Sequence, residues 1–166
     1  MAICRPTIPA VLALAAILFA GPLPASQRNA SAADAHAGPV PVAQGFALSA
    51  MKVEITSGTN RAIFQLYDTH AAKDFYAQLP LQLPLSNFRN AQWMFYPPQK
   101  LRVTDREAYH DGLKGELSYY APWGDVFMLY EDFYAGDEMH RLGIGLSGID
   151  QIKPMNGTIT VRKLPD

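Results

Sequence analysis

Tyr119-Tyr120-Ala121-Pro122-Trp123-Gly124-Asp125-Val126-Phe127-Met128-Leu129-Tyr130 is the most hydrophobic stretch of the chain outside its N-terminal leader. Aromatic and branched residues on both sides of the breaker cluster Pro122-Trp123-Gly124-Asp125 predict a β-hairpin with a tight turn and an indole at its tip. From Val126 to Tyr130 every position is apolar, where a strand with one wet face would alternate. Both faces of that strand should therefore be covered, as in the wall of a closed barrel packed by a helix.

Working outward, the same signals recur along the chain. Met51, Val53 and Ile55 alternate with Lys52, Glu54 and Thr56, Ser57 to Asn60 is a turn, and Arg61 to Tyr67 is a return strand. Asp68-Thr69 offers an N-cap to a helix over 71–79, with Ala72, Phe75, Tyr76 and Leu79 on one face and Pro80 as its stop. Leu81, Leu83 and Leu85 alternate again, and the internal Pro84 restricts that strand to an edge or bulge. Gln92 to Tyr96 is a further strand, ended by Pro97-Pro98. Residues 99–115 lack periodicity and carry many charges, so they read as a long exposed loop. Asp132 to Glu138 reads as turns, Met139 to Gly145 as a short strand, 147–152 as a short helix and 157–164 as a closing strand with Ile159 and Val161 on one side. The count is eight strands and two helices, with no internal repeat.

The N-terminus has a different character. Arg5 precedes the apolar run Ile8–Ala20, too short for a bilayer span of about 20 residues and followed by small residues suited to cleavage after Ala32 or Ala25. Residues 1–32 are thus read as a signal peptide, with an uncleaved anchor as the alternative, and 33–50 as a flexible linker rich in Ala, Gly and Pro. The expected location is exported, periplasmic or secreted, with no stable membrane span after cleavage. Cys4, the only cysteine, falls inside the leader, so a mature chain has no thiol nucleophile and no iron–sulfur ligands. A formal net charge of −1 and the lack of any basic run give no electrostatic reason to expect a nucleic-acid partner.

Several segments, in this order, look like one family. They are Met51-Lys52-Val53, Leu66-Tyr67-Asp68 with Ala72-Lys73-Asp74-Phe75, Leu79-Pro80-Leu81, the run Gly115 to Asp125 containing Tyr-Tyr-Ala-Pro-Trp-Gly, Leu142-Gly143 leading to Gly148-Ile149, and Gly157 to Val161. Over 51–166 the chain resembles the bacterial and archaeal cyclophilin-like domain proteins, a group of largely undefined function. The resemblance implies a mainly β domain, a closed eight-stranded barrel with two covering helices. Catalytic cyclophilins carry an arginine within Phe-His-Arg, and later Gln-x-Gly-Asp; nothing here matches, Phe88-Arg89 being the nearest fragment, so no catalytic arginine is carried over.

Candidate site residues follow from the hairpin. Trp123, with Tyr120, Phe133 and Tyr134 near it in sequence, and Tyr96 beside Pro97-Pro98, are candidates to line a groove for a small molecule or an extended peptide. Phe127 and Tyr119 are assigned to the core. If the protein were a divergent prolyl isomerase, Arg102 or Arg141 would have to assist a rotation whose barrier is about 18–20 kcal/mol. Asp137-Glu138-Met139-His140-Arg141 holds one histidine without a second nitrogen or sulfur ligand at suitable spacing, so it reads as a solvated loop rather than a metal site. His110-Asp111 has no serine tied to it by motif, and no phosphate-binding glycine pattern occurs. The sequence therefore predicts a non-catalytic binding module without cofactor or metal; the alternatives are a divergent isomerase and a structural partner protein. It gives no oligomeric state.

Overall fold

The structure is a computed structural model that describes residues 40–165. Residues 1–32, read from the sequence as a signal peptide, lie outside those residues. Ten strands form one antiparallel sheet: β1 (Leu48–Ser57), β2 (Asn60–Tyr67), β3 (Leu81–Pro84), β4 (Ser86–Phe88), β5 (Gln92–Phe95), β6 (Ala108–Gly112), β7 (Glu116–Tyr120), β8 (Asp125–Leu129), β9 (Phe133–Ser147) and β10 (Thr158–Leu164). One α-helix, α1 (His70–Ala77), follows β2; 3₁₀ turns at Asp105–Glu107 and Ile149–Gln151 complete the elements. The strand order is β3-β10-β1-β2-β9-β7-β8-β5-β4, with β6 paired to β9 off that path.

The first and last members of this order, β3 and β4, are separated in sequence by Leu85 alone. The two edges are thus joined by the chain itself, and the sheet curls into a nearly closed barrel with little edge left to pair elsewhere. Pro84 lies where the sequence placed it, at an edge, opposite Thr158 of β10. The predicted barrel architecture holds. Among the described residues the strands number ten because β4 and β6 escaped the sequence reading, and the helix predicted over 147–152 is only a 3₁₀ turn.

Inward side chains of the strands fill the barrel. Val53, Ile55, Phe64, Leu66, Leu117, Tyr119, Val126, Met128, Ile159 and Val161 form one buried cluster, and α1 packs into it with Ala71, Ala72 and Phe75. Thr69 caps that helix, its Oγ1 accepting from the Ala72 N–H at 3.2 Å. β7 and β8 form the predicted hairpin, with Tyr120 opposite Asp125, and every residue of β8 is buried.

Three predicted details change. The outer face of β8 is covered not by a helix but by β6 and β9, whose Tyr109 and Met139 pack with Phe127, Leu129 and Met94 in a second cluster. The region read as a loop over 99–115 contains β6, and the turns read at 132–138 are the first half of the single long β9. Finally, order begins before Met51: Val40 is buried with Tyr67 and Ile144, and the Ala43 N–H donates to the Tyr67 hydroxyl, so 40–50 belongs to the domain rather than to a linker. Among the described residues no helix is long and apolar enough to cross a membrane.

Candidate functional site

The side chains of a strand alternate between faces, and on β8 this sends Val126 and Met128 into the barrel and Asp125, Phe127 and Leu129 outward. Neighbouring strands continue the outward face: Met94 lies opposite Phe127, Gln92 opposite Leu129, Phe88 opposite Gln92, and Tyr120 opposite Asp125. β9 passes over this face with Phe133, Tyr134 and Met139. Where the cover is incomplete, an open cavity of about 400 Å³ remains, lined by residues that include Phe88, Gln92, Tyr120, Trp123, Asp125 and Phe133.

The walls are aromatic and braced edge to face. The Trp123 ring lies 5.5 Å from Tyr120 and 5.6 Å from Phe88, nearly perpendicular to both, and Phe88 lies 6.0 Å from Phe133. Gly124, at φ 77°, turns the chain back after Trp123 in a conformation that disfavours a Cβ, and its N–H donates to the Tyr120 carbonyl at 2.8 Å. Trp123 thereby stands at the rim, 53% exposed. Arg89 completes the rim; it adopts φ 53° in the β4–β5 turn and holds its guanidinium carbon 5.1 Å from the Phe88 ring centroid.

Asp125 is the polar feature of the cavity. Its residue is 1% exposed, and neither carboxylate oxygen has a hydrogen-bond partner. Burial pushes its pKa from an ordinary 3.8 up to about 6, with its own backbone N–H acting in the opposite direction. The buried Gln92 Oε1 is likewise unpartnered. Nearby, the Tyr120 hydroxyl donates to Glu138 Oε2 at 3.1 Å. Burial, with help from that bond and the charges of Glu138 and Asp125, raises the Tyr120 pKa.

Of the residues nominated from sequence, Trp123, Tyr120, Phe133 and Tyr134 all line this cavity, while Tyr96 is exposed outside its lining. Phe127, assigned to the core, is buried and also forms part of the wall. Neither nominated arginine reaches it. Arg102 grips Asp74 with two side-chain bonds of 2.7 and 2.8 Å, which hold the Asp74 carboxyl down at about 2. Arg141 lies 3.3 Å from Glu116 Oε1, with its guanidinium carbon 3.6 Å from the centroid of Tyr109. The Asp137–Arg141 segment is not a solvated loop but part of β9, and it sends Met139 to the cavity, His140 into a buried position and Arg141 to Glu116. Among the described residues, no three potential metal ligands converge. His110 Nε2 lies 3.2 Å from Asp111 Oδ2 on β6, where both side chains are exposed. A second hollow of about 510 Å³, lined in part by Phe46, Asp68, His70, Arg106 and Glu107, has charges but a single phenyl ring.

Sequence reasoning missed Asp125, Gln92, Phe88, Arg89 and Met139. Asp125 was taken as a turn residue, although an aspartate two positions before Phe127 and four before Leu129 must share their face once the strand is recognised.

The comparisons with known proteins agree with the fold. The cyclophilin-like family model matches residues 55–162. A solution structure of a hypothetical protein from Archaeoglobus fulgidus superposes with a TM-score of 0.53 at 11% identity, covering 69% of this chain and 95% of that one. No curated protein matches the sequence.

Proposed function

The chain belongs to the cyclophilin-like family, and from that starting point we propose that it is an exported, non-catalytic binding module that holds a small molecule or an extended peptide segment in the aromatic cavity. One observation carries this reading: four rings chosen from sequence, Tyr120, Trp123, Phe133 and Tyr134, meet around one open cavity of about 400 Å³ that also holds an unpartnered carboxyl group. Mostly apolar walls with few convergent polar groups are the usual make-up of a small-molecule site. The export reading rests on Arg5 and the apolar run after it.

The divergent isomerase reading loses its nominated side chains, since Arg102 and Arg141 are engaged with Asp74 and Glu116. It survives in altered form through Arg89, the arginine in the cavity lining, beside Phe88. Screening metabolite and peptide libraries by thermal shift tests the binding reading. A ligand at a hundredfold excess over its Kd stabilises the native state by about 2.7 kcal/mol, a shift of several degrees. Trp123→Ala should abolish the shift for a true cavity ligand. A prolyl-peptide assay in which the protein accelerates isomerisation, and Arg89→Ala does not, would replace the binding reading with the enzymatic one.

A further inference from the structure

Most buried polar atoms have partners, because an unmade hydrogen bond leaves the full desolvation penalty in place. The cavity lining contains two exceptions, the Asp125 carboxylate on β8 and the Gln92 carbonyl oxygen on β5, which lies opposite Leu129, four residues further along β8. Both are acceptors. A second acid, Glu138, accepts a hydrogen bond from the Tyr120 hydroxyl. The rings around them offer π faces, and one face is already in use, by the Arg89 guanidinium over Phe88. Electron-rich faces beside an unpaired carboxylate are complementary to positive charge.

Resting on the reading of this cavity as a binding site, we infer that its ligand is a small organic cation, with an apolar or aromatic body against Trp123, Tyr120 and Phe133 and an ammonium or amidinium group seated on Asp125. Arg89 does not fill this role itself: it is exposed at the rim, stacked on Phe88, and makes no bond to Asp125. Its charge opposes an incoming cation only through solvent, where screening is strong. An anionic ligand would meet a buried carboxylate, and a neutral one would leave that carboxylate unpaired.

Calorimetric titration of the full chain at pH 7.5 with three probes of one shape tests the inference: phenethylammonium, 2-phenylethanol and phenylacetate, with the Trp123 indole N–H followed by NMR to place the contact. The ammonium should bind at least roughly tenfold more tightly than the alcohol, and phenylacetate most weakly. Asp125→Asn should remove that preference while the alcohol's affinity stays within about twofold. A blocked Gly-Lys-Gly peptide serves as a further arm; if it outcompetes phenethylammonium, the cation is peptide-borne and the chemistry stands. Equal binding of the three probes overturns the cation assignment and leaves the binding-module reading intact. Silence from all of them also overturns it, and the library screen then decides the wider reading on its own. The preference among probes is read on the unmodified protein, so the test survives even if the variant fails to fold.

Discussion

Glu54 and Asp125 are both hidden carboxylates, each 1% exposed, on strands of one sheet. The molecule treats them in opposite ways. Glu54 on β1 lies opposite Arg162 of β10 and bonds its Nε at 2.5 Å, while Arg61 of β2 bonds the other oxygen. Burial alone would raise the Glu54 pKa, but these two guanidinium groups outweigh it and hold the carboxyl below its usual range. Because the arginines are themselves more than half exposed, Glu54 is covered by flexible stems, and its charge ties three strands together from outside. Asp125 has no such cover, only rings and a cavity. The difference shows that a buried charge is by itself a structural device, whereas a buried charge left unpaired beside open space is a place for something to bind.

The sharpest way to break this comparison is to create a second Asp125. Glu116 is 2% exposed and is kept by Arg141 and by the Leu113 N–H, which donates to it at 2.9 Å. Arg141→Met retains apolar contact with Tyr109 but strands the Glu116 charge. Removing one partner of a buried pair typically costs about 3–5 kcal/mol, so urea denaturation should show a loss of that order, largely recovered when Glu116→Gln is added. A loss below about 1 kcal/mol would mean that unpaired carboxylates are cheap in this fold, and that Asp125 signals nothing.

The next effect in size concerns pH. In the folded chain Asp125 titrates at about 6, against an ordinary 3.8. Between those values the native state binds more protons than the unfolded one, so stability must fall as pH rises through that window. The penalty is absent below about pH 4 and complete above about pH 6, where it amounts to about 3 kcal/mol. Glu54 has the opposite sign, since its contribution is present above the unfolded pKa and is lost as the pH falls through its lowered folded value. Asp125→Asn should accordingly stabilise the protein at pH 7.5 and flatten the decline between pH 4 and 6, leaving the acid loss due to Glu54 in place. Denaturant midpoints measured at several pH values check both limbs; an unchanged slope in the variant would show that Asp125 is partnered in solution.

These contrasts also explain what the sequence could and could not reveal. The all-apolar run of β8 made it plain that both faces were covered, and Pro84 marked an edge. What covers the outer face was not legible, because β6 is a strand by pairing rather than by pattern. Ala-Tyr-His-Asp-Gly has no period of two, and a register shift between Tyr109 and Asp111 breaks whatever alternation remains. The first half of β9 carries Gly136 and Asp137 and reads as turns until its partner is known. The rings of the site were found because they cluster around one hairpin in sequence. Phe88, Gln92 and Met139 reach the cavity through the pairings of β4 with β5, β5 with β8 and β9 with β7, a non-local fact.

The smallest expected change in stability comes from the residue most diagnostic of binding. Trp123 is 53% exposed on a turn whose geometry is fixed by Gly124 and the Tyr120 carbonyl, not by the indole. It touches Phe88 and Tyr120 edge to face, and such contacts at an exposed position contribute little to folding. Trp123→Ala should shift the unfolding free energy by no more than about 0.5 kcal/mol, within the range of ordinary surface substitutions. A large aromatic side chain that the fold does not need, lining the same cavity as an unpaired carboxyl, is the complement of Glu54, which two arginines hold. A destabilisation of about 2 kcal/mol or more would place Trp123 among the packing residues and remove the contrast between the two regions.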